Sequence, residues 1–245
     1  MTEQELYNEI NNSGSQFHSR EQELNLAMPT LMRKVYTWMS LALVITGFTA
    51  WGVANSPALY TAILGNSAIM WGMIIAEFVL VMAISGAINR MSMTTATLMF
   101  ILYSVLNGAT FSSIFLVFNM STIARVFFIT AGTFGVTALY GYTTKKDLST
   151  MGRILFMGLL GIIIATIVNM FLKSTGFDYI LSYIGVAIFC GLTAWDSQQI
   201  KRALSTQYDV SESAQKVALL GALTLYLDFI NLFLYLLRIF GRNDN

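Results

Sequence analysis

Residues 217–237 read VALLGALTLYLDFINLFLYLL, twenty-one positions with a single charge, Asp228, at the twelfth. A helix rises ~1.5 Å per residue, so this run is long enough to cross a hydrocarbon core of ~30 Å. Barrel strands would be ~10 residues with strict apolar–polar alternation, which the run lacks. Inside a bilayer the backbone must satisfy its own hydrogen bonds, so the run reads as a helix. At helical spacing Gly221, Thr224, Asp228, Asn231 and Tyr235 follow in steps of 3, 4, 3 and 4 and share one face. The other faces are Leu, Ile, Phe and Ala. A polar stripe on such a helix faces a bundle interior or a water-filled path. Thr224, Asn231 and Tyr235 suit interhelical hydrogen bonding equally well. Asp228 is different. An ionisable group at mid-membrane costs ~2.5–3.5 kcal/mol to insert, and an asparagine would bind helices more cheaply.

Six further runs repeat the pattern: 35–54, 67–88, 97–118, 126–142, 154–172 and 179–195. Two have only seventeen residues and are expected to extend into polar flanks; of all seven, only the second (Glu77) and the last (Asp228) carry a charge. Composition agrees: of 245 residues 56% are hydrophobic and 11% charged, with mean hydropathy +0.63. A soluble domain averages ~25% charged residues because its surface faces water. The expected class is an all-α integral membrane protein, a seven-helix bundle filling one domain over residues 31–241. A polar cytoplasmic tail, 1–30, precedes it, flexible apart from a short amphipathic piece, and 242–245 follow it. No internal repeat or soluble domain is apparent.

The net charge of +1 gives no nucleic-acid footprint. His18 lies in the tail, so histidine-based metal or triad chemistry in the membrane is excluded, and Cys190 alone forms no intrachain disulfide. The first 27 residues are acidic (Glu3, Glu5, Glu9, Glu21, Glu23) and lack the pattern of a cleavable signal. The first apolar run is therefore expected to act as address and anchor.

With the N-terminus inside, inner segments hold ten basic residues: Arg20, Arg33, Lys34, Arg90, Lys145, Lys146, Arg153, Lys201, Arg202 and Lys216. The outer ones hold four: Arg125, Lys173, Arg238 and Arg242. That bias favours a cytoplasmic N-terminus. A re-entrant last segment would suit Arg238 and Arg242 better than a seventh crossing, and both arrangements stay open. The absence of organellar targeting and long loops suits a bacterial inner membrane.

Asp196 closes the sixth run in Ala194-Trp195-Asp196-Ser197-Gln198-Gln199-Ile200-Lys201-Arg202. By position alone it reads as a headgroup-level carboxylate paired with Lys201 or Arg202. Glu77 needs either a proton and a neighbouring helix or a basic partner. Arg90 is placed to snorkel or to reach an acid near the inner surface. Ser104, Asn107 and Thr110 form a polar face in the third run and Asn169 stands alone in the fifth, all read as packing groups.

Two of these stretches, AWDSQQIKR (194–202) and LYLDFINLFLYLLRIFG (225–241), resemble the C-terminal signatures of the transmembrane Bax inhibitor motif family. Lys145-Lys146-Asp147-Leu148-Ser149 is similar to its basic loop, and the likeness spans residues 30–241. The resemblance implies two three-helix layers around a central last helix and a pH-sensitive calcium leak. It implies a functional aspartate in each signature, here Asp196 and Asp228, and a basic latch ending the second helix, for which Arg90 is nearest. Trp195 stands where Tyr is more usual. The family also includes bacterial members that bind a membrane-bound ATP-dependent protease.

From these readings come the expectations for function. Two acids in contact share a proton, and the ionised pair would repel, loosen the last two helices and offer oxygen ligands to Ca²⁺. Ca²⁺ and H⁺ are then traffic and sensor, with Glu77, Thr224 and Asn231 in support and no resident cofactor. Helical rise puts Asp228 ~18 Å from Lys216 but Asp196 only ~7 Å from Lys201, so equal depth needs a longer sixth helix or a late seventh. One alternative is a non-transporting regulator that binds a membrane protease, the acidic tail engaging it. Another is an aspartyl intramembrane protease, disfavoured because Leu225-Tyr226-Leu227 precedes Asp228 without the expected glycine.

Overall fold

A computed structural model describes the backbone of residues 3–207 and 209–241, and side chains from residue 27 onward within that range. The first helix, α1, is Glu3–Ala54. The short α2 (Pro57–Leu64) leads to α3 (Ser67–Ala87), which ends in a 3₁₀ turn, Ile88–Arg90. Then come α4 (Met93–Phe111), the single turn α5 (Ile114–Val117), α6 (Met120–Thr143), α7 (Ser149–Leu172), α8 (Thr175–Leu204) and α9 (Glu212–Phe240). Among the described residues there are no strands. Seven helical segments are long and apolar enough to span a bilayer, each overlapping one expected run. Part of the polar stretch expected as a flexible tail is helical, since α1 begins at Glu3, and residues 242–245 lie outside the described residues.

The helix starts are written in small polar side chains that accept the orphan N–H groups of a first turn. Asn66, Ser92, Asn119, Ser174 and Ser211 cap α3, α4, α6, α8 and α9 in this way. The α7–α8 connection is two residues long, with Lys173 left-handed (φ 51°) to end α7. Asn169 lies beside it and accepts the Ser174 N–H, so it closes a turn and does not pack helices.

Helices α1, α3 and α4 pack together as one layer and α6, α7 and α8 as another. Helix α9 lies between them, against α1, α4, α6 and α8. Its most apolar window is 67% buried, against 6% for α3 and 11% for α7, so α9 is the core and those two face lipid. Exposed Phe48, Trp71, Phe78, Phe128, Val136, Met157 and Phe171 belong to that apolar perimeter.

Helix α9 runs unbroken from Glu212 to Phe240, with no break at which a re-entrant segment could turn back. At its start Gln215 Oε1 accepts from Lys34 Nζ of α1 at 2.8 Å. At its far end Arg238 pairs with Asp178, in the first turn of α8, at 3.7 Å. The two ends of α9 therefore lie on opposite faces, and Arg238 gains a carboxylate on the less basic one.

Candidate functional site: an acid pair between the last two helices

Helix α8 does not stop at the end of its apolar run; it continues nine residues past Trp195 to Leu204. The polar residues of that extension are spent on α6 and the loop after it. Ser197 Oγ donates to Ala138 O at 2.8 Å. Gln198 accepts from Leu148 N–H at 2.9 Å and donates to Lys146 O at 2.8 Å. Lys201 Nζ donates to Tyr142 O at 2.7 Å and lies 4.8 Å above the centre of that ring. Arg202 pairs with Asp147 at 2.9 Å and donates to Ser149 Oγ at 3.1 Å. Hydrogen bonds from the Ser149 hydroxyl and N–H, with Arg202 beside them, hold the Asp147 carboxyl down to about 2. Glycines bring the helices close: a Cβ on Gly141 would meet the Ala194 carbonyl, and one on Gly152 the Trp195 ring.

This clamp leaves Asp196 without either of the basic partners its neighbourhood suggests. It faces α9 and is in hydrogen-bonding contact with Asp228. The helices run antiparallel, with Gly221 against Ile200 below the acids and Gly185 beneath the Tyr235 ring above them. A Cβ on Gly221 would lie 3.0 Å from Ile200, and one on Gly185 2.7 Å from Tyr235, so both glycines set the approach. The depth difference between the acids is absorbed by α8 running on to Leu204 and by the connection of residues 205–211; α9 does not begin late.

Asp228 is 5% exposed, and its Oδ2 is buried with no hydrogen-bond partner among the described residues. Carboxylates have no donor of their own, so two of them can bond only by sharing a proton. In low dielectric a second negative charge at that contact is strongly disfavoured. The chemistry available is proton exchange and, once the proton leaves, oxygen coordination of a cation. Two carboxylates fall well short of the six to eight oxygens Ca²⁺ prefers. Among the described residues no group of three or more His, Cys, Asp or Glu is placed to hold a metal.

The other expected site residues lie elsewhere. Arg90 is exposed on its 3₁₀ turn and engages neither acid. Glu77 accepts from Thr110 Oγ1 of α4 at 2.5 Å, on the far side of the bundle from α8. Thr224 and Asn231 share the stripe with Asp228 but bond to their own helix, at Leu220 O (3.1 Å) and Leu227 O (2.8 Å). Sequence reasoning missed Ser197, Gln198, Gly141 and Tyr142, which place Asp196. The one available signal was the polar run 197–199 continuing the helical phase of a membrane span.

A family model described as "Inhibitor of apoptosis-promoting Bax1" matches residues 28–245. The inner membrane protein YbhL of Escherichia coli is 49% identical over 216 residues, 87% of this chain and 92% of that protein. A protein of Borreliella burgdorferi is 45% identical over 227 residues, covering 93% of this chain and 98% of its own. A membrane protein of Streptococcus pyogenes is 36% identical over 213 residues, covering 86% and 92%.

Proposed function

This chain belongs to the Bax inhibitor-1 family of integral membrane proteins, and from that premise we propose that it is a slow calcium leak gated by the proton shared between Asp196 and Asp228. The observation that carries the proposal is the contact itself: two acids from consecutive helices, one of them buried, with their basic neighbours committed elsewhere. While the proton stays, it joins α8 to α9. Its loss leaves two like charges in contact, which pushes the helices apart and exposes carboxylate oxygens to a hard cation. Leak therefore rises with pH.

Asp228 has Leu225 and Tyr226 fully buried beside it, which leaves a peptide bond no approach in this state. The pair is thus read as a joint and not as catalytic carboxylates. The same proposal places the chain in a bacterial inner membrane with the Lys34 face cytoplasmic, supported by the ten-to-four bias in basic residues and the relative YbhL.

The test is calcium efflux from liposomes holding the purified full chain. Efflux above that of protein-free liposomes supports the leak. Efflux equal to theirs at every pH removes it and leaves the non-transporting regulator that binds a membrane-bound protease.

A further inference from the structure

Helices α1 and α6 both pack on α9 but scarcely on each other. Between them runs an apolar groove of about 620 Å³, floored by Phe229 and reaching from Met32 and Tyr142 to Leu43 and Phe127. Its volume lies within the ~300–1,000 Å³ of small-molecule sites. Small residues open it: Ala131, Gly135 and Ala138 line the α6 side, and a Cβ on Gly135 would meet nothing within 4 Å.

Charge at one end identifies the occupant, and the depth of that end suits it. From Met32 to Leu43 is eleven residues, about 16 Å of helix, close to half of a ~30 Å hydrocarbon core. That half is one leaflet deep, the reach of an acyl chain, and a second apolar groove sharing Ser40, Leu43 and Phe127 continues it to Trp51 and Met120. The mouth at the Met32–Tyr142 end is ringed by cations. Arg33 is exposed on α1, next to the lining Met32 and one turn before Tyr36. Lys145 and Lys146 are exposed just beyond Tyr142, and the Lys201 ammonium lies over that tyrosine's ring. Basic pockets between helices at a membrane face attract anionic headgroups.

We propose that the α1–α6 groove is a lipid site, holding one acyl chain of an anionic phospholipid with its headgroup at Arg33 and Lys145. The site does not depend on the calcium reading, and its test uses no ion flux.

Native mass spectrometry of the full chain, released from detergent with phosphatidylglycerol or phosphatidylcholine, reads the occupancy directly. One retained phosphatidylglycerol per chain is expected, in preference to phosphatidylcholine. Gly135→Leu fills open space and favours the helix, and should weaken retention by about tenfold or more. Arg33→Gln with Lys145→Gln, both at exposed positions, should keep the chain folded while reducing the preference for phosphatidylglycerol roughly tenfold. Retention unchanged in Gly135→Leu, or equal retention of both lipids by the wild type, overturns the site. A dimer mass in the wild type that Gly135→Leu abolishes also overturns it, since a second copy would then be the occupant.

Discussion

The Lys201 ammonium, five residues after Asp196, turns away from that acid and bonds to the Tyr142 carbonyl at 2.7 Å. With Arg202 drawn to Asp147, both cations of the signature are spent on α6 and its loop. Asp196 is left with an acid as its partner, and the joint between α8 and α9 becomes proton-dependent for that reason.

Close approach of α6 to α8 is the first thing this clamp requires. Gly141→Ala sets a methyl against the Ala194 carbonyl, where backbone must move, and should cost ~1–3 kcal/mol. Thermal unfolding in detergent micelles measures the loss. Gly132→Ala, which meets open space one helix face away, should leave the melting temperature unchanged or raised.

The loop end of the clamp makes a pH prediction with a fixed sign. The folded-state value of about 2 for Asp147 lies below the ordinary ~3.9. The Ser149 hydrogen bonds to this carboxylate, with the Arg202 ion pair beside them, therefore contribute above about pH 4 and are lost as pH falls through about 2. Melting curves of wild type and Asp147→Asn should differ by a constant amount above pH 4 and converge towards pH 2. Because Asp147 is exposed, added salt should also narrow the gap.

On the opposite side of α9, the Tyr226 hydroxyl meets Thr46 Oγ1 of α1 at 2.7 Å, and Tyr226 is fully buried. Its ring packs edge-on against Phe100 and Tyr103 at 5.9 and 5.8 Å. Thr46→Val should cost ~1–3 kcal/mol by leaving a buried hydroxyl unpaired. Combined with Tyr226→Phe, the further loss should be small, and a double-mutant cycle in the same unfolding assay reports the coupling.

The spans were legible because lipid imposes a simple requirement: about twenty apolar residues without a break. The stripe on α9 was legible too, since Gly221, Asp228 and Tyr235 do face α8. Periodicity gives a face but not a partner, and Thr224 and Asn231 turn out to bond their own backbone. The extension of α8 past its apolar run was expected and is present; what could not be read was where its polar side chains are anchored. Ser197, Gln198 and Lys201 have the composition of a headgroup-level flank, yet they bond across to α6 and its loop over more than fifty residues of chain. Such contacts leave no period in the sequence. The same blindness made Lys201 and Arg202 look like partners for Asp196.

Calcium efflux from liposomes, followed across pH for wild type and Asp228→Asn, tests the shared proton most directly. Asparagine fits the same space and donates a hydrogen bond to Asp196 at any pH, so it mimics the protonated joint. Wild-type efflux should climb as pH rises, while Asp228→Asn stays low and flat. Equal efflux from the two proteins at every pH would contradict the account.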